Sequence, residues 1–132
     1  MEEFLEKNEE GMFEHVRNAV AGAAGDDEDV LERTWTQVRY LKRLAKVKLM
    51  EWWMRSDGVE RRLDYWKMKK SESIVMNDEA LGRTSDGKIG EARDDLFRCE
   101  AQKEEYRRKI EELGDLEESL DPYLQLEAPN LQ

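Results

Sequence analysis

The first 121 residues of this chain contain no proline; the only two, Pro122 and Pro129, lie near its end. Nothing in that long stretch forces a helix to break for want of an amide hydrogen. Cysteine is almost absent too. Cys99 stands alone, so no disulfide forms within the chain and the sequence asks for no oxidising compartment. One histidine, His15, is present. A single His with a single Cys excludes a zinc site built from nitrogen and sulfur ligands of one chain, and no Ser–His–acid or Cys–His arrangement can be placed. No apolar run approaches the ~20 residues of a membrane helix. The opening MEEFLEKNEE is acidic and has no apolar core of the kind a signal peptide carries. The expectation is a soluble intracellular protein, cytoplasmic or nuclear, with no membrane association.

Phosphate-binding glycine motifs are missing as well. The segment Thr84-Ser85-Asp86-Gly87-Lys88-Ile89 superficially looks like the middle of an EF-hand loop. Aligned on Gly87, the first ligand position falls on Gly82 and the twelfth on Arg93, which removes the two most important oxygen donors. No Glu-x-x-His pair of the di-iron type occurs. These gaps lead us to expect no cofactor, no metal, no catalytic residue and no small-molecule substrate: a protein that is not an enzyme. Cys99 and His15 are read as a buried thiol and an ordinary helix residue.

What the chain has in quantity is charge. Charged residues make up 41% and hydrophobic residues 39%, against roughly 25% charged in an average domain. The core must be thin, which suits long helices with narrow apolar stripes. The net charge of −10 is segregated. Residues 1–32 carry a net −9, residues 33–70 a net +8, and residues 71–132 a net −9. An acid–base–acid chain is a more specific object than an acidic one.

The apolar residues recur with a helical period. In the first segment, Leu5, Met12, Phe13, Val16 and Val20 make a stripe, with Phe4 beside it. Gly11 weakens that helix and allows two shorter ones. The run from Ala21 to Gly25 predicts a stop, and Asp26 to Asp29 suit the start of the next helix. Next comes the clearest signal. Leu31, Val38, Ala45, Trp52, Val59 and Trp66 recur every seven residues, interleaved with Trp35, Lys42, Leu49, Ser56 and Leu63. This is a heptad seam with polar lapses at Lys42 and Ser56. The phase survives Gly58, which favours one helix there. A second seam runs through Ile89, Ala92, Leu96, Cys99, Lys103, Tyr106, Ile110, Leu113, Glu117 and Leu120, lapsing at Lys103 and Glu117.

The fold class that follows is all-α: a long antiparallel helical hairpin, coiled-coil-like, with an N-terminal helix able to complete a three-helix bundle. The expected divisions are an N-terminal amphipathic helix (1–24), an acidic linker (25–29) and the hairpin (30–121). The hairpin comprises a basic helix (30–70), a connector (71–88) and an acidic helix (89–121). A flexible tail (122–132) follows. The connector is placed by its serines, Asn77, Gly82 and Ser85-Asp86-Gly87, with Ile74-Val75-Met76 as an apolar island docking on the bundle.

Two surfaces carry functional readings. Met50-Glu51-Trp52-Trp53-Met54 puts Trp52 in the seam and turns Trp53 about 100° away. Met50, Trp53 and Met54, with Tyr123, Leu124 and Leu126 of the tail, are the candidate residues for binding another protein or a second copy of this chain. Tryptophan and methionine favour interface cores; alternatively the N-terminal helix covers Trp53. The leading expectation is a non-enzymatic interaction or assembly factor, an adaptor. The second reading uses the basic helix, with Arg39, Arg43, Lys46, Arg62, Lys69 and Lys70 contacting nucleic-acid phosphates. A third has the acidic faces mimic nucleic acid and inhibit a nucleic-acid enzyme.

Overall fold

The computed structural model describes residues 1–127, and the side chains of residues 1–123. The described chain is helical, with no strand. Helix α1 spans Glu2–Leu5, α2 Glu9–Ala21, α3 Glu28–Val75 and α4 Glu79–Glu127, with a 3-10 turn at Ala23–Gly25. Helices α3 and α4 pack against each other as an antiparallel hairpin, and the short helices precede it. The contacts divide the chain into two units, one of Met1–Val47 with the segment from Arg107, the other Lys48–Tyr106.

In the first unit the entry to the bundle differs from the periodic reading. The 1–24 helix is two helices, broken at residues 6–8 rather than at Gly11. Asn8 caps α2 by accepting from the Gly11 amide at 2.7 Å, the preferred N-cap chemistry. The break also reverses the stripe. Phe4 is buried and Leu5 exposed, because the Phe4 ring packs against His15 and Tyr40 at 5.4 and 6.2 Å. Met12, Phe13 and Val16 are buried here. Helix α2 meets α4 through the bidentate Arg17–Glu112 pair and through Lys109, which binds Glu9 and lies over the Phe13 ring. The expected acidic linker 25–29 shrinks, since Asp27 caps α3 at the Val30 amide and Glu28 and Asp29 form its first turn. At the other end α4 runs through Pro122 to Glu127, where a tail was expected from residue 122. Leu120 is fully buried and Tyr123 half-buried, so packing on both sides carries the helix past the missing hydrogen bond. The rest of that expected tail, 128–132, lies outside the described residues.

In the second unit Val59, Leu63, Ile89, Ala92 and Cys99 form a buried cluster, with Trp52, Trp66 and Leu96 packed on it. Each large side chain fully buried in such a seam contributes roughly 1.5–3 kcal/mol. Helix α3 is continuous through Gly58. The expected 71–88 connector is helix except at Met76, Asn77 and Asp78. Asn77 takes φ 55°, a conformation Asn tolerates better than most residues. The Asp78 amide returns to the Ser73 carbonyl and the Asn77 amide to Ile74, a Schellman closure. Asp78 then caps α4 at the Leu81 amide. Gly82 lies within α4 and faces Ser73, whose Oγ would lie 3.2 Å from an added Cβ. Ile74, Val75 and Met76 do not dock. They are 69–86% exposed at the turn.

Candidate interaction surface

The four polar lapses in the seams explain one another. Lys42 and Ser56 are two heptads apart on α3, as are Lys103 and Glu117 on α4. In the first unit Lys42 donates to Glu117 at 3.0 Å, and in the second Lys103 donates to Ser56 at 2.9 Å, so each lapse meets a polar partner. Lys103 is only 1% exposed. Its ammonium donates to Ser56 Oγ and, at 2.7 Å, to Glu100 Oε1, and sits 3.7 Å from the centre of the Trp53 ring. A buried charge is tolerated only with such partners. The whole Lys103 side chain lies in the seam, its stem packed there and its head held by those partners.

This arrangement places Trp53. Trp52 is half-buried on the apolar cluster, and Trp53, one residue on, is held by Lys103 yet half exposed. Beside it on the outward side of α3 stand Met50 and Met54, with Tyr65 and Met68 further along. All five are between 48% and 70% exposed. Met50, Trp53 and Met54 are thus brought together in the second unit. Tyr123 belongs to the first unit and is half-buried. The side chains of Leu124 and Leu126 lie outside the described residues. Tyr65 and Met68 are not among the residues proposed from the sequence. The available signal was the seven-residue spacing of Met54, Arg61 and Met68, a second column out of phase with the seam.

The basic residues proposed for phosphate contact are mostly engaged with acids. Arg62 pairs with Asp95, Lys69 with Glu72 and Lys70 with Asp86. The hydrogen bond to Glu72 raises the Lys69 ammonium above its ordinary pKa. Arg39 lies 4.6 Å over the Trp35 ring and 3.9 Å from Glu117. Arg43 and Lys46 line a cleft of about 160 Å³ in the first unit with Arg39, Lys42 and Glu117. Among the described residues no three His, Cys, Asp or Glu side chains gather as a metal site, and no helix is long and apolar enough to cross a membrane. No family model, curated protein or solved structure matches the chain.

Proposed function

We propose that this chain is a non-enzymatic helical protein that acts by binding protein through the outward face of α3. One observation supports this above others. With the hairpin closed, Met50, Trp53, Met54, Tyr65 and Met68 still face solvent on one helix. Isolated exposed apolar residues are ordinary, but a row of them along one helix face fits a groove or another helix. Methionine adds adaptability and the aromatic rings add contact area.

The test compares what the wild-type chain and Met54→Glu each retain from an extract of the native host. Met54 is 70% exposed, so the variant keeps its fold, checked by circular dichroism. A protein retained by the wild type and lost from the variant supports the reading. Identical retained sets, together with absence of self-association, would count against it.

The cleft formed by Arg39, Lys42, Arg43 and Lys46 favours a second reading, nucleic-acid binding by the basic helix. Filter binding at ~50 and ~200 mM salt separates the two, since phosphate contacts give a steep loss of affinity. No retention of nucleic acid at the lower salt would sink it.

A further inference from the structure

The outward face of α3 has an internal symmetry that selects its occupant. At about 100° per residue, Met50, Met54, Asp57, Arg61, Tyr65 and Met68 all lie within roughly 40° of the direction of Arg61. Val59 and Leu63 point the other way and are buried against α4. Read outward from Val59, the face is nearly a palindrome with its charges inverted. Met50 stands nine residues before Val59 and Met68 nine after; Asp57 stands two before and Arg61 two after. Met54 is five before and Tyr65 six after.

We infer that this face binds a second copy of the chain, antiparallel, about a two-fold axis at the level of Val59. The axis sets Met50 against Met68 of the other copy, Met54 against Tyr65, and Asp57 against Arg61, each contact occurring twice. Glu51 and Lys69 share one flank of the face, about 80° from Arg61. A two-fold axis brings like flanks together, so Glu51 meets Lys69 of the other copy as well. A parallel pairing would instead set Asp57 on Asp57 and Arg61 on Arg61. Charge complementarity therefore fixes orientation as well as partner.

Within one chain Asp57 and Arg61 are paired at 2.9 Å with both side chains more than half exposed, so that pair is neutral before the face docks. The contact from residue 50 to 68 runs for about 27 Å of helix. A single helix face of that length is a small contact, of the kind found at the weak end of protein interfaces.

The inference rests on the protein-binding reading but can fail without it. Sedimentation equilibrium of the full chain should show the mass rising from 15.6 kDa to twice that across micromolar concentrations. Asp57→Arg alone and Arg61→Asp alone should each weaken association at least tenfold. The double variant D57R/R61D should restore it to within about threefold of wild type. Under mild oxidation, Met50→Cys mixed with Met68→Cys should form mainly the mixed disulfide, because the axis sets those two positions against each other; Cys99 is buried and does not compete. A strict monomer at all concentrations overturns the inference, as does a predominant Met50→Cys homodimer or a double variant as weak as the singles. If the chain is monomeric yet retains a host protein that Met54→Glu loses, self-pairing is wrong and the wider reading stands.

Discussion

At the scale of the residue, Lys103 has the most to lose. Its four-carbon stem occupies a seam position, and Ser56, Glu100 and Trp53 satisfy its head. Lys103→Ala should cost about 2–3 kcal/mol, since a cavity replaces the stem. Lys103→Met should fall within about 1 kcal/mol of wild type, or exceed it, because the charge no longer needs desolvating. Urea unfolding followed by circular dichroism distinguishes them; equal losses would show that the charge, not the packing, matters. Glu112 offers a pH test. Its hydrogen bond from Arg17 holds its carboxyl below the ordinary range, partly opposed by burial. A lowered folded-state pKa means the unfolded chain takes up the proton first, so the contribution is present at neutral pH and lost as pH falls through the folded value. Both side chains are more than a third exposed, which keeps it under about 1 kcal/mol. Glu112→Gln should be slightly less stable than wild type at neutral pH and match it once pH falls well below ~4. A difference that persists in acid would contradict this.

At the scale of the element, glycines test how firmly the long helices are held. An added Cβ meets nothing within 4 Å at Gly58, Gly87 or Gly114, and all three are inside helices. Replacement by alanine should stabilise by about 1 kcal/mol each, seen as a Tm higher by several degrees. At Gly82 the crowding against Ser73 Oγ should cancel most of that gain. Asn77 is the opposite case, the turn residue with positive φ. Asn77→Gly should be tolerated, whereas Asn77→Val should cost about 1–2 kcal/mol. A stable Asn77→Val chain would mean that the turn can close elsewhere. The same elements show where sequence signals mislead. Gly82 and Ser85-Asp86-Gly87 carry turn chemistry, yet Ser85 and Ile89 are buried in the helix pair, so packing outweighs local preference.

At the scale of the whole molecule, the segregated charge becomes pairing. Arg17–Glu112, Lys109–Glu9, Lys42–Glu117, Arg62–Asp95 and Lys70–Asp86 each join different helices. None is fully buried, and exposed pairs contribute about 0.2–1 kcal/mol each. Sodium chloride raised from ~0.1 to ~1 M shortens the screening length from ~10 to ~3 Å. The hairpin should lose about 1–3 kcal/mol of stability over that range, measured by urea titration at each salt. Stability that holds or rises would show that apolar burial alone sustains the fold.

The sequence by itself determined the helical class, the two seams and their polar lapses, because a period near 3.5 residues is a local property written along one chain. Only the tertiary structure decided where the chain turns, which of Phe4 and Leu5 faces inward, and how far α4 continues past Pro122. Those outcomes depend on what lies across the space: Tyr40 and His15 for Phe4, Ser73 for Gly82, and the packing around Leu120 and Tyr123 for the proline. The tertiary structure also decided what covers Trp53. Lys103 holds one side of its ring, because a buried ammonium at that seam position reaches out to the nearest aromatic face and fixes it there.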